Sequence, residues 1–175
     1  VFNEDPTINE LQEYTAGLLG KERGLYVPSG TQANQIAIKT HTQPGDEVIA
    51  EEGAHIINFE SGAPAMLSGV MIRTLKGTNG VYNAEQAEAA VRPSNVHHPP
   101  TRLIEIENTH NRAGGTIFPL EKIKRIREIA DRYRLAMHLD GARLWNATAA
   151  TGIALEEWAS YFDSVSVCFS KGLGA

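Results

Sequence analysis

Four groups of polar residues, each placed directly after an apolar run, carry side chains suited to chemistry. They are the turn Ser29-Gly30-Thr31, the imidazole of His55, the acid and base of Asp140-Gly141-Ala142-Arg143, and the amine of Ser170-Lys171-Gly172. Such groups can hold an anion, exchange a proton, balance a charge or form a Schiff base. Because ligands of open parallel sheets gather at the carboxyl ends of the strands, we expect the four groups to meet there.

The turn Ser29-Gly30-Thr31 precedes apolar residues at helical spacing, so it is expected to open a helix. Glycine lets the backbone approach an anion closely, and the free N–H groups of a helix N-terminus point at it. The turn is therefore a candidate phosphate site. An ordinary Ser or Thr N-cap is the alternative, and it would be favoured if the turn stood alone. Neither the dinucleotide motif G-x-G-x-x-G nor the P-loop motif G-x-x-x-x-G-K-[ST] occurs here.

Asp140 ends the apolar run 135–139, where a buried carboxylate needs a cationic partner to stay charged. An internal ion pair with Arg143 would meet that need. Alternatively, Asp140 faces a cationic group of a ligand while Arg143 binds a ligand carboxylate through its two-pronged guanidinium. The residues alone leave these two interpretations even.

Lys171 follows the strand-like run 164–170 and precedes glycine. A lysine at the inner end of a strand is desolvated, which favours the neutral amine and makes it a Schiff-base candidate. A surface lysine in a turn is the alternative. His55 is suited to stacking on a flat ring or to acid–base work, although a structural role is the better expectation for any single histidine. No His or Cys pair has the spacing of a zinc site, so no metal is predicted.

The composition excludes several classes of protein. The chain has 175 residues, of which 42% are hydrophobic and 21% charged, and these are globular proportions. Its net charge of −5 argues against a nucleic-acid binder, and no apolar run approaches the roughly 20 residues of a membrane span. The single cysteine, Cys168, excludes an intrachain disulfide and suits a reducing compartment, so a cytoplasmic location is predicted.

Elements that position the four groups are visible as apolar strand-length runs alternating with segments of helical spacing. This alternation predicts a three-layer α/β/α architecture with a mostly parallel sheet. The run 103–107 alternates apolar residues with Glu105 and Glu107, so that strand is either half-buried or carries a functional carboxylate. The predicted strands are Gly24–Pro28, Glu47–Ala50, Val70–Leu75, Arg102–Asn108, Ala136–Asp140 and Ser164–Phe169. The predicted helices cover 8–19, 33–38 and 120–133.

The order of these groups along the chain resembles that of the pyridoxal-phosphate enzymes of the aspartate-aminotransferase-like fold. A phosphate turn comes first, then a histidine, then Asp-x-x-Arg and finally Ser-Lys-Gly. Among these enzymes, the sequence is most similar to the low-specificity L-threonine aldolases. The likeness extends over the whole chain, and the combination is specific although no single stretch is. The stretches that carry it are Glu4-Asp5-Pro6-Thr7, Pro28-Ser29-Gly30-Thr31-Gln32-Ala33-Asn34, Glu107-Asn108-Thr109-His110-Asn111, His138-Leu139-Asp140-Gly141-Ala142-Arg143 and Cys168-Phe169-Ser170-Lys171-Gly172-Leu173-Gly174.

The resemblance implies a role for each group around pyridoxal 5′-phosphate. Lys171 would hold the cofactor as a Schiff base, with Ser170 beside it. Asp140 would pair with the ring nitrogen, and His55 would stack on the ring. The residues implied to hold the phosphate are Ser29, Gly30 and Thr31.

On the substrate side, the resemblance implies that Arg143 contacts the cofactor and binds the substrate carboxylate. His97 matches a histidine on the side of the β-substituent. Glu60 matches an acidic residue near the site, and its role carries little weight. The base that takes the β-hydroxyl proton would be His55, His97 or an ordered water, and the residues do not choose among them.

The implied reaction is retro-aldol cleavage of L-threonine or L-allo-threonine, an amino acid substrate, to glycine and an aldehyde. An aminotransferase or β-eliminating lyase of the same fold is the alternative, as is an inactive fragment. Residues 1–175 would form the cofactor-binding large domain, truncated at both ends, without the family's N-terminal serine segment and small C-terminal domain. Because active sites of this family form between subunits, a homodimer or homotetramer is implied.

Overall fold

The computed structural model describes residues 4–175, so the first three residues of the predicted domain lie outside the described part. Five strands form one sheet in the order β2-β1-β3-β4-β5, and every neighbouring pair is parallel. The strands are β1 (Glu47–Glu51), β2 (Met71–Leu75), β3 (Thr101–Glu107), β4 (Ala136–Gly141) and β5 (Ser164–Val167). The helices are α1 (Pro6–Leu18), α2 (Gly30–His41), α3 (His55–Asn58), α4 (Ala84–Ala90), α5 (Leu120–Tyr133), α6 (Leu144–Thr151) and α7 (Leu155–Ala159). A π-helical turn covers Pro64–Ser68.

This architecture confirms the predicted α/β class and the parallel sheet, and five of the six predicted strands are present. The strand predicted at Gly24–Pro28 is wrong, because that segment is a loop lying along α1. The N–H of Tyr26 donates to the side-chain oxygen of Gln12 at 2.8 Å, and a Cβ on Gly24 would lie 2.6 Å from the Gln12 carbonyl oxygen. The loop therefore uses its backbone against α1 instead of against the sheet.

The two faces of the sheet differ in chemistry. One face is apolar and packs on α4, α5, α6 and α7 through buried residues such as Ile104, Ile106, Met137 and Leu139. Because side chains alternate along a strand, Glu105 and Glu107 of β3 point to the opposite face, together with His138 and Asp140 of β4. That face is covered by α2, and all four of these polar residues are buried.

Strand β3 is therefore buried on both faces, and its alternation marks buried carboxyl groups, not a solvated edge. The register places Glu105 beside His138 and Glu107 beside Asp140. Burial raises the pKa of Glu105 well above its usual range, and Asp140 and Glu107 raise it further. Among residues 4–175, neither carboxyl oxygen of Glu105 has a hydrogen-bond partner, so burial favours the neutral form of this acid.

Local signals in the sequence start the helices that matter for the site. The carboxylate of Asp5 caps α1, and the hydroxyl of Ser29 caps α2 by accepting from the N–H of Gln32 at 3.1 Å. Both helices begin where the sequence predicted. None of the helices in residues 4–175 combines the length and apolar character needed to cross a bilayer.

The apolar face should supply most of the stability of the fold. Ile104 is fully buried in the centre of the sheet, whereas Met71 on edge strand β2 is 56% exposed. We expect Ile104→Ala to lower the free energy of unfolding by about 2–5 kcal/mol, through lost burial and an unfilled cavity. Met71→Ala should lower it by less than about 1 kcal/mol. Urea unfolding of both variants measures the difference, and equal losses would contradict this assignment of the core.

Candidate active site

Asp140 lies at the carboxyl end of β4 and is 3% exposed. Its Oδ2 accepts from the amide of Asn34 at 2.7 Å, and its Oδ1 accepts from the backbone N–H of Ala142 at 3.1 Å. Within residues 4–175, no hydrogen bond or ion pair joins Asp140 to Arg143. Asp140 is therefore held by neutral N–H donors, and the ion pair with Arg143 that the sequence allowed is not formed.

The carboxamide of Asn34 links three elements. Its Nδ2 donates to Asp140 and also to Oε1 of Glu60 at 2.9 Å. Its Oδ1 accepts from Nε2 of His138 at 3.1 Å and from the hydroxyl of Ser166 at 2.9 Å. Asn34 is 2% exposed, and both N–H bonds and both lone-pair positions of its amide have a partner, as is expected of a buried polar group.

Glu60 is buried and joins the histidine of the predicted site to the same amide. Its Oε1 accepts from Nδ1 of His55 at 2.8 Å, and its Oε2 accepts from the amide of Gln35 at 2.5 Å. The nearest side-chain donor and acceptor atoms of His55, Glu60 and Asp140 all lie within 4.8 Å of one another. The structure thus brings His55 and Asp140 together and gives Glu60 a larger place than the sequence suggested.

Glu107 holds the backbone beside this cluster. Its two carboxyl oxygens accept from the N–H groups of His55 and Asn111, each at 2.9 Å. Burial raises the pKa of Glu107, as does the charge of Asp140, while the two N–H donors lower it. One acid from β3 therefore fixes both the start of α3 and the loop after β3.

A chain of hydrogen bonds connects Asn34 to the far end of α2. Nδ1 of His138 lies 2.9 Å from the hydroxyl of Ser164, which in turn lies 2.8 Å from Nε2 of His41. Burial lowers the pKa of His138 to about 4, against an opposing effect of Asp140, so the ring is neutral at pH 7. Since Nε2 must donate to the oxygen of Asn34, Nδ1 of the neutral ring accepts from Ser164.

The candidate phosphate turn lies near the candidate lysine. The N–H groups of Gly30 and Thr31 have no acceptor among the described residues, as is usual in the first turn of a helix. A Cβ on Gly30 would lie 2.9 Å from Sγ of Cys168, and the amine of Lys171 donates to that same sulfur at 3.2 Å. Cys168 therefore brings the start of α2 and Lys171 to one place.

Other predicted residues make fewer contacts. Lys171 is exposed, so its predicted desolvation is wrong for the chain as described, because the loop after β5 lies at the surface. Ser170 and His97 are also exposed, and nothing in residues 4–175 joins the His97 ring to the cluster around Asp140. Arg143 is half-buried, and its guanidinium has no hydrogen-bond or ion-pair partner in the described chain. It is thus available to a ligand.

A second polar pair lies beside this cluster. The strand order reverses between β1 and β3, which makes their carboxyl ends a topological switch point. There Nε2 of His110 lies 3.0 Å from Oε2 of Glu51, and both side chains are buried. Gly80 packs so closely on the imidazole that a Cβ would lie 2.5 Å from Cγ of His110. An open cavity of about 450 Å³ adjoins the pair and is lined in part by Gly53 and Arg112.

Comparison with known families identifies the class of protein. The model of the beta-eliminating lyase family matches residues 1–175, so the chain belongs to this family. Members of the family depend on pyridoxal phosphate.

Two relatives and two crystal structures illustrate the similarity. The chain is 39% identical over 175 residues to the low specificity L-threonine aldolase of Escherichia coli K12, covering 99% of the chain and 52% of the relative. It is 41% identical over 179 residues to low-specificity L-threonine aldolase 1 of Arabidopsis thaliana, covering all of the chain and 50% of the relative. A threonine aldolase structure from Leishmania major matches with a TM-score of 0.79 and 26% identity, over 87% of the chain and 45% of that protein. A structure from Listeria monocytogenes matches with a TM-score of 0.84 and 26% identity, over 99% of the chain and 47% of that protein. The chain spans about half the length of the curated relatives it matches.

The residues present fit the cofactor of this family. A buried carboxylate held only by N–H donors suits a protonated ring nitrogen, and the unpaired N–H groups that open α2 suit a phosphate. The amine near that helix start suits the carbonyl carbon of the cofactor. The three groups thus match the ring nitrogen, the phosphate and the carbonyl carbon of pyridoxal phosphate, one each.

Two residues of this network escaped the sequence analysis. Asn34 stood only at the end of the phosphate-turn motif, and His138 only within the apolar run before Asp140. The signal for His138 was available, since it alternates with Asp140 on β4 and so shares its face. For Asn34 no signal existed, because its partners lie 26, 104, 106 and 132 residues away.

The low pKa of His138 predicts how stability depends on pH. The unfolded chain takes up a proton on this histidine near pH 6.5, whereas the folded protein takes it up only near pH 4. Stability should therefore fall as the pH drops through this window, by about 2 kcal/mol between pH 7 and pH 5 from His138 alone. His138→Gln should lose that part of the dependence.

Urea unfolding at pH 7 and pH 5 tests this expectation. His97→Gln, which changes an exposed histidine, is the matched control and should keep the dependence of the parent protein. If His138→Gln and the parent lose the same free energy between the two pH values, His138 is not held neutral by the fold.

Proposed function

We propose that this protein is a pyridoxal-phosphate-dependent aldolase that cleaves L-threonine or L-allo-threonine to glycine and acetaldehyde. The observation that carries the proposal is the state of Asp140. Its carboxylate is buried, is held by Asn34 and Ala142 and not by Arg143, and lies within reach of His55. Because Asp140 and Arg143 form no ion pair with each other, both side chains are available to a ligand.

In this proposal each residue holds one part of the bound molecules. Ser29, Gly30 and Thr31 bind the phosphate at the start of α2. Asp140 accepts from the ring nitrogen, and His55 lies on the ring. Lys171 and Ser170 anchor the carbonyl end. Arg143 binds the substrate carboxylate through two parallel hydrogen bonds, and His97 lies on the side of the β-substituent.

Pyridoxal phosphate, when bound, supplies an electron sink for the pair of electrons released at Cα when the Cα–Cβ bond breaks. Asp140 keeps that sink effective by keeping the ring nitrogen protonated. Arg143 would hold the substrate carboxylate and so orient the Cα–Cβ bond perpendicular to the plane of the ring, where its electrons overlap the π system. The hydroxyl proton goes to a base, for which His55, His97 and an ordered water remain the candidates.

His55 is the candidate whose surroundings are best defined. Its Nδ1 points to Glu60 at 2.8 Å, so in the neutral ring Nδ1 carries the hydrogen and Nε2 is left as the acceptor. A histidine oriented by a carboxylate in this way is suited to taking a proton at Nε2. This geometry supports His55 over an exposed residue as the base.

The proposal includes the organisation of the whole protein. Residues 1–175 form the cofactor-binding large domain of a longer fold, and a small domain completes the substrate site. The active protein is a homodimer or homotetramer in the cytoplasm, and it binds neither nucleic acid nor membrane. These statements rest on the net charge of −5 and on the family, since the chain spans half of its curated relatives.

Lys171→Ala tests the anchor of the cofactor. We expect the purified protein to show the visible absorbance band of covalently bound pyridoxal phosphate, and the variant to lose both the band and turnover. Lys39→Ala, an exposed lysine of α2, is the control and should keep both. Turnover that persists in Lys171→Ala would sink the assignment.

Arg143→Ala tests the substrate carboxylate site. Because the guanidinium has no partner in the described chain, its loss should leave stability unchanged and raise KM for threonine at least about tenfold. Arg125→Ala, an exposed arginine on α5, is the matched control. An unchanged KM would exclude Arg143 from the substrate site.

Product analysis decides among the reactions of this fold. Threonine should give glycine and acetaldehyde in equal amounts. Ammonia and a keto acid from serine or threonine would indicate a β-eliminating lyase instead, and amino transfer to a keto acid would indicate an aminotransferase. A protein that binds no cofactor would be an inactive fragment.

A further inference from the structure

We propose that Asn34 is a positioning residue of the cofactor site, which holds Asp140 and Glu60 through one amide group and is itself held in one orientation by His138. This inference rests on the proposed function and deepens it, because it concerns how the acid at the ring nitrogen is fixed. It assigns a role to residues of α2, β4 and β5 that touch no substrate.

The contacts of Asn34 allow only one orientation of its carboxamide. Nδ2 faces two carboxylate oxygens, of Asp140 and Glu60, while Oδ1 faces Nε2 of His138 and the hydroxyl of Ser166. Reversing the amide would place its oxygen against an oxygen of each acid in a buried site, so Asp140 and Glu60 would each lose a donor and face a second acceptor. The acids therefore determine which way the amide points.

His138 secures the same orientation from the other side. In the neutral ring the hydrogen lies on Nε2, which donates to Asn34, and Nδ1 accepts from the hydroxyl of Ser164 at 2.9 Å. Nδ1 also lies 3.2 Å from the carbonyl oxygen of Ser164, an acceptor that favours a hydrogen on Nδ1, so it is the oxygen of Asn34 that places the hydrogen on Nε2. The Ser164 hydroxyl can in turn accept from Nε2 of His41, at 2.8 Å. These hydrogen bonds run in one direction, from His41 through Ser164 and His138 to Asn34 and the acids.

The consequence for Asp140 is a carboxylate with two of its acceptor positions filled and two left free. Asn34 fills a position on Oδ2 and Ala142 fills one on Oδ1. A carboxylate offers about four lone-pair positions, so a ring N–H can still be accepted.

Gln35 provides a matched control on the same helix. It is buried like Asn34 and donates to Oε2 of Glu60, but within residues 4–175 no hydrogen bond joins it to Asp140. Replacing Gln35 therefore removes a donor from the same cluster without changing the acid at the ring nitrogen. A general loss of packing would affect both variants alike, whereas a positioning role would distinguish them.

The experiment compares Asn34→Ala with Gln35→Ala in the purified full-length protein. Titration with pyridoxal phosphate gives the dissociation constant and the position of the absorbance band of the bound cofactor. Because a hydrogen bond to a charged group is lost, Asn34→Ala should bind the cofactor about 10- to 100-fold more weakly and with a shifted band. Gln35→Ala should change the affinity less than about threefold and leave the band in place.

A second measurement needs no cofactor. Long-range ¹H–¹⁵N spectra of the cofactor-free parent protein, assigned with His138→Gln, report which nitrogen of each histidine carries the hydrogen. At pH 7 the His138 ring should be neutral with its hydrogen on Nε2. A hydrogen on Nδ1 alone, or a doubly protonated ring, would overturn the inference even if Asn34→Ala does not fold. The isosteric pair Asn34→Asp and Gln35→Glu repeats the comparison in that case.

The outcomes separate this inference from the function on which it rests. If the parent protein binds no pyridoxal phosphate, the proposed function fails. If the parent binds it and Asn34→Ala binds it with the same affinity and band, the inference fails and the function stands. Equal weakening in both alanine variants would also overturn the inference, since it would show a structural role alone.

Discussion

Four carboxyl groups are buried beneath helix α2, and three of them are held by donors of the protein. In the described chain none of them pairs with lysine or arginine; Glu60, Glu107 and Asp140 accept instead from side-chain amides, backbone N–H groups and one histidine. A buried acid without such donors would be neutral, as Glu105 is. The four buried acids thus differ in the donors that the fold supplies to them.

The parallel sheet makes this arrangement possible. The register of β3 and β4 sets Glu105 beside His138 and Glu107 beside Asp140, while the intervening residues form the apolar core. A slip of one residue in either strand would turn its polar side chains into that core and its apolar ones towards α2. Stability and function therefore depend on the same register. Residues that bind the cofactor in our proposal cannot shift without disrupting the packing of the opposite face.

The candidate site has a buried part and an exposed part. The buried part, around Asp140, is held by hydrogen bonds among the described residues. In the exposed part, the side chains of Lys171, Ser170 and His97 are open to solvent. Arg143 has no hydrogen-bond or ion-pair partner among the described residues. This division agrees with a chain that spans half of its curated relatives, and it is consistent with a site completed by other parts of a longer protein or by a second subunit. The residues proposed to hold the ring nitrogen of the cofactor are connected within this chain, whereas the proposed substrate residues are assigned from the family.

The sequence analysis was most successful where the signal is local. Apolar runs predicted β1 to β5, and a capping serine predicted the start of α2. It was wrong for Gly24–Pro28, where a strand-like run lies on a helix, and for the burial of Lys171, which no neighbouring residue could reveal. It gave Glu60 little weight, although the structure places this acid against His55, Asn34 and Gln35.

By itself, the sequence determined five strands, three helices, a mostly parallel sheet and the residues whose chemistry matches a pyridoxal-phosphate enzyme, because periodicity, caps and motifs act over a few residues. Only the tertiary structure decided that Asp140 is held by Asn34 and not by Arg143, three residues away. The physical reason is that a buried carboxylate is satisfied by whichever donor the packing of α2 on the sheet brings within 3 Å. That choice depends on contacts across more than a hundred residues of chain.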